Sequence, residues 1–303
     1  MISCPTHAAS VALALATGNA TEPAGDVPAG LRQADVWLFW IGLALVAGYG
    51  LYWLAKDRRD PLARSVPRKN FLPPEMALVP VMVFVMASWA AAPLLHRLAD
   101  GYSDRAAGLG TGSVGMAAAT IACLGMGWQY FNGGLTGFLL GNGRIGRQAA
   151  RTVAFLLMSF PICGIVFGVT EWVFREFAPD YPMPEHGVIE ALRDPEEPPW
   201  APVTLWLGAV IVAPIAEECF FRGIVQTVVV TLWRRRWAAV LIASVLFGLA
   251  HGAQWQAVPA LTVLGIMLGY LYERQGALAG PILLHTLFNL KTLTWELYGA
   301  GGP

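Results

Sequence analysis

Charge is what this chain has least of. Asp, Glu, Lys and Arg make up 13% of its 303 residues, about half the ~25% of an average soluble protein. The 20 basic and 20 acidic residues cancel, so there is no basic excess to hold a nucleic acid. Cysteine is scarce too. Cys4, Cys123, Cys163 and Cys219 show no CxxC spacing and three lie in apolar runs, which reads as free buried thiols rather than a disulfide framework or metal knuckle. There is no HExxH pair to supply two zinc ligands from one helix. No internal repeat or matched pair of broken apolar segments is evident, and these mark many secondary transporters. A charged leader is also missing. Residues 8–16 are briefly apolar but follow no Lys or Arg, so 1–34 read as a disordered lead-in rather than a secretory signal.

What fills the chain is apolar. Its 56% hydrophobic residues and 12 Trp, with a mean hydropathy of +0.53, do not suit a water-soluble surface. Eight runs approach the ~20 residues a helix needs to cross a bilayer, near 36–55, 76–95, 114–133, 152–173, 202–232, 238–254, 257–273 and 279–298. The expected fold is all-α, a polytopic transmembrane helix bundle of about eight spans. Its units would be the lead-in 1–34, N-terminal helices and basic loops over 35–149, and a core over 150–298. Basic residues follow every second span: Lys56 to Lys69, then Arg144, Arg147 and Arg151, then Arg234 to Arg236, then Arg274. The intervening connections are poor in basic residues, and 174–200 is acidic. That alternation fits eight crossings with both termini outside, in a plasma (inner) membrane. Segment 134–151 reads either as an amphipathic interfacial element or as a basic loop.

Polar groups inside spans are costly and ask for a reason. The fifth span holds Glu217, Glu218 and Arg222 near its middle. Glu218 and Arg222 stand at i,i+4 on one helix face, while Glu217 lies ~100° around the helix. One acid can be paired while the other stays available. The sixth span carries His251, with Phe247 one turn earlier, and the eighth carries His285 and Asn289 at i,i+4. At ~1.5 Å per residue, Glu217 lies about 24 Å and His251 about 21 Å from the basic side, with Asn289 roughly 15–20 Å deep. These groups can share a layer. Lys291, inside the eighth span, is expected to snorkel.

At these residues the sequence resembles a known family. EECFFRG (217–223), FGLAH (247–251) and HTLFN (285–289) match EExxxR, FxxxH and HxxxN, in that order and on three spans. Together they resemble the signature of the CPBP intramembrane proteases, which include type II CAAX prenyl endopeptidases and bacterial Abi-type relatives. The resemblance implies an intramembrane endopeptidase acting on a membrane-associated protein or peptide, lipidated or not. It implies that Glu217 and His251 activate water, that His285 and Asn289 stabilise the oxyanion, and that Glu218 and Arg222 support them. A carboxylate out of water is a stronger base, and two donors one turn apart suit a developing oxyanion. No cofactor is expected. The alternatives are a Zn2+ enzyme using Glu217, His251 and His285, a non-catalytic membrane scaffold or immunity protein on the same fold, and a proton-coupled transporter with the acid and imidazoles as a relay.

Overall fold

A computed structural model describes residues 29–56, 60–63, 65, 72–98, 104–141, 145–181, 188 and 201–299. Among these residues there is no strand, as expected where lipid leaves every backbone group to be satisfied within its own segment. The helices are α1 (Ala29–Lys56), α2 (Leu78–Leu98), α3 (Asp104–Tyr130), a short α4 (Gly134–Leu139) and α5 (Ile145–Phe177). The α6 segment runs through Ala201–Leu207, Gly208–Val212, Ala213–Glu217, Glu218–Val225 and Gln226–Trp233. Then follow α7 (Arg236–Ala250), α8 (Val258–Gln275) and α9 (Ala279–Gly299).

Each of the eight apolar runs has become a helix, and among the described residues six segments are long and apolar enough to cross a membrane. The other two fall short for different reasons. With 15 residues, α7 spans about 22 Å, less than the ~30 Å hydrocarbon core. The 21 residues of α9 are long enough but include His285, Asn289 and Lys291. Other boundaries also differ from expectation. Residues 29–34, placed in the lead-in by sequence, form the first turns of α1, because Ala29, Leu31, Arg32 and Gln33 are good helix formers. Residues 1–28 and most of the acidic 174–200 connection lie outside the described residues. Within segment 134–151, α4 carries Phe138 into the core, and from Ile145 the chain already belongs to α5.

In the bundle, α1 packs on α5 and α2 on α3. The core is α6 to α9, with α5 against α8 and α9, and α3 against α6. Lipid-facing apolar side chains such as Trp40, Met82, Trp89, Ile121 and Trp128 are exposed on α1, α2 and α3. Small residues set the tightest crossing. A Cβ on Gly248 would sit 2.2 Å from Thr262 Oγ1, and one on Gly265 3.0 Å from the Ser244 Cα, so α7 and α8 touch nearly backbone to backbone. The described residues of the basic connections gather at one end. There Arg274 donates to Pro61 O (3.0 Å), Trp237 Nε1 to Asp60 (2.7 Å), Gln275 to Gln148 O (3.0 Å) and Leu278 N to Phe138 O (3.2 Å). Away from that end, at the turn between α7 and α8, Trp255 packs on Phe174 and Tyr181.

Candidate active site

The α6 helix is not a uniform α-helix. Over Gly208–Val212 and Glu218–Val225 it widens to π geometry, with Ala213 N–H reaching Gly208 O and Gln226 N–H reaching Phe221 O. Short π segments often mark functional positions. The first has a consequence that follows from sequence. With Ala213 N–H spent on Gly208 O, the next donor for Ala209 O would be residue 214, which is proline and has no N–H. Asn289 of α9 fills the place, its Nδ2 donating to Ala209 O at 3.0 Å. A freed carbonyl on α6 thus docks α9.

The second π segment sets the acids. Glu218 and Arg222 are fully buried and bonded, Nη1 to Oε1 at 2.8 Å, and Arg222 Nη2 donates to Gly265 O at 3.3 Å. The His285 Nδ1–H donates to the same Glu218 Oε1 at 2.9 Å. That bond fixes the imidazole and turns its other nitrogen, Nε2, towards Glu217, 3.8 Å away. On the far side of Glu217 stands His251 Nε2, 3.9 Å from Oε1. Its Nδ1–H donates to Phe247 O at 2.9 Å. Both Glu217 separations are too long for direct hydrogen bonds. Glu217 and His251 are the partly open members, 20% and 27% exposed.

The sequence puts His251 inside the sixth span, whereas it stands at the C-terminal end of α7. Phe247 is the buried hub of the group. Its ring lies 5.0 Å from that of His251 and 5.5 Å from that of His285, with the Arg222 guanidinium 4.5 Å over its face. The structure therefore brings together Glu217, Glu218, Arg222, His251 and His285, with Asn289 one turn along α9 from His285 and bonded to α6.

This segment has a known counterpart. Residues 199–291 match the family model described as Rce1-like, type II CAAX prenyl endopeptidase Rce1-like, and all three motifs fall inside the match. This segment is similar to the CAAX protease family. Neither the curated proteins nor the solved structures gave a match. With six spanning-length helices among the described residues, the chain is an integral membrane protein that carries a segment similar to CAAX-type intramembrane proteases.

Two features near the site go beyond what the sequence leads one to expect. Lys291, expected to snorkel, is buried and bonded to Asp35 of α1 at 2.7 Å, with its ammonium over the Phe160 and Trp295 rings. The visible sign was an acid near the start of an apolar helix and a base in the middle of another. Phe138 of α4 fills a slot between Gly127 of α3 and Gly223 of the second π segment. Cys123, Cys163 and Cys219 are free and buried, which leaves a thiol nucleophile at Cys219 without access to substrate. No group of three His, Cys, Asp or Glu among the described residues is arranged to hold a metal ion.

Proposed function

We propose that the protein is a protease of the glutamic type and hydrolyses a peptide bond of a membrane-associated protein or peptide with water as nucleophile. One observation carries the reading: the accessible Glu217 carboxylate stands between two imidazole Nε2 atoms, at 3.9 and 3.8 Å. Each imidazole is oriented from behind by a bond at its Nδ1. The His251 Nδ1–H is given to Phe247 O, so its neutral Nε2 is an acceptor facing Glu217. A water between these two bases donates one proton to each and turns its oxygen lone pair to the scissile carbonyl.

As the O–C bond forms, Glu217 takes a water proton and charge moves to the carbonyl oxygen. The oxyanion needs donors. Asn289 has a second amide N–H beyond the one given to Ala209 O. His285 donates from Nε2 only as an imidazolium, because its Nδ1–H is already directed at Glu218. The Glu218 carboxylate, itself bonded to Arg222, stabilises that cation. The C–N bond then breaks, and the proton held by Glu217 passes to the departing amine. No step needs a metal, so activity of the purified protein is expected to persist in a strong chelator. Loss of activity that is restored by Zn2+ would favour the metalloenzyme instead.

The test compares membrane-protein termini from cells carrying wild-type or Glu217→Gln protein. Some termini should be present only with the wild type, and they would name both substrate and bond. Identical inventories from the two would favour a scaffold that happens to share the fold.

A further inference from the structure

Three arginines at the basic end belong to no mechanism described above. Arg147 and Arg151 stand one turn apart on α5, and Arg274 closes α8. Arg147 and Arg274 both lie close enough to the Arg151 guanidinium to repel it. Arg151 Nη1 donates to Arg274 O at 3.4 Å, and Arg274 Nη1 to Pro61 O at 3.0 Å. Each guanidinium has five N–H donors, and for Arg151 and Arg274 no carboxylate among the described residues accepts from the rest. The adjacent acids are engaged elsewhere. Glu273 accepts from Gln226 at 2.8 Å and lies 3.8 Å from Arg236. Asp60 accepts from Trp237 Nε1 at 2.7 Å and Leu62 N at 2.9 Å.

Beside the arginines is an aromatic wall. Tyr270 stacks between Phe155 and Trp237, at 5.4 and 6.1 Å, and its hydroxyl meets that of Tyr49 on α1 at 3.0 Å. A bonded pair of hydroxyls uses one of its two protons, so the accepting hydroxyl keeps one to donate. Tyr49 is exposed and continues into the apolar outer wall of α1 at Leu45, Leu51 and Tyr52, while Trp237 continues into Leu241 of α7. Unneutralised guanidiniums therefore border a lipid-facing aromatic and aliphatic surface, at the level where amphipathic rings meet headgroups.

We propose that Arg147, Arg151 and Arg274, with the Tyr49–Tyr270 hydroxyl pair, form a binding site for the phosphate headgroup of an anionic phospholipid, whose acyl chains lie along the apolar faces of α1 and α7. Phosphate is the shared chemistry, and continuity with the lipid-facing wall selects a lipid over free phosphate.

The test uses the full-length protein, delipidated in a neutral detergent, and needs no substrate. Melting temperature and lipid adducts in native mass spectrometry are followed on adding phosphatidylglycerol, phosphatidylcholine or inorganic phosphate. Phosphatidylglycerol should stabilise the protein and remain as a one-lipid adduct, and phosphatidylcholine should do neither. In Arg151→Gln/Arg274→Gln the apparent affinity should fall about thirtyfold, at roughly fivefold per basic residue. The control Arg234→Gln/Arg235→Gln, exposed at the same end, should bind like wild type. Should the first double variant fail to fold, Arg147→Gln, at an exposed position, should still weaken binding about fivefold. Equal stabilisation by phosphatidylcholine, or equal weakening in the control, would overturn the site. Full stabilisation by inorganic phosphate alone would overturn the lipid assignment.

Discussion

Among single residues, the sharpest division of labour is between adjacent acids. Glu217 is partly open and, among the described residues, its carboxylate has no hydrogen-bonding partner, whereas Glu218 is buried between Arg222 and His285. Spacing alone made this legible, because i,i+4 pairing took Glu218 and left Glu217 turned aside. It gave no hint that His285 bridges the two acids, since helix spacing says nothing about a partner on another helix. Glu218→Gln should lower stability by about 3–5 kcal/mol, as it leaves the Arg222 charge buried without its counterion. Adding Arg222→Met should recover most of that loss, read as melting temperature in detergent. Activity should stay low in the double variant, because the His285 imidazolium still lacks its carboxylate. If activity returns along with stability, Glu218 is packing only and its place in the chemistry is lost.

The α6 segment was read as one continuous helix, and its length, its Pro214 and its acids were all in plain view. The two wide turns were not. Apolar periodicity averages over several turns, and one extra residue per turn hides inside that average. Pro214 was the available sign, since a missing N–H must leave some carbonyl free, and here Ala209 O is taken by Asn289. Gly223 makes a second demand on the same helix. A Cβ there would stand 2.6 Å from Phe138 Cζ, and the ring cannot retreat, because a Cβ on Gly127 would be 2.5 Å from its Cδ1. Gly223→Ala should cost about 1–3 kcal/mol by overpacking and disturb the turn that carries Glu218. Phe138→Leu in the same chain should relieve it in part. A Gly223→Ala protein that melts with the wild type would show that the slot has room to spare.

Over the whole molecule, the alternation of basic connections was enough to order the helices and place their ends. It could not say how the N-terminal helices hold on to the segment that carries the motifs. The family match begins at residue 199, yet α1 reaches into it through Asp35, bonded to Lys291 two residues beyond Asn289. Both side chains are buried, and in an apolar interior neither charge is tolerable alone. Sequence showed the two residues but not their pairing, because they come from opposite ends of the chain. Asp35→Asn or Lys291→Met alone should destabilise by about 3–5 kcal/mol, and each should reduce activity by loosening α9. Asp35→Leu/Lys291→Met removes both charges and should be far more stable than the sum of the single losses predicts, a coupling that a double-mutant cycle reads directly. Melting curves in detergent that show simple additivity would mean that the pair does not join α1 to the motif-bearing helices, and that α1 is held by its other contacts, among them the packing on α5 and the Tyr49–Tyr270 hydroxyl bond.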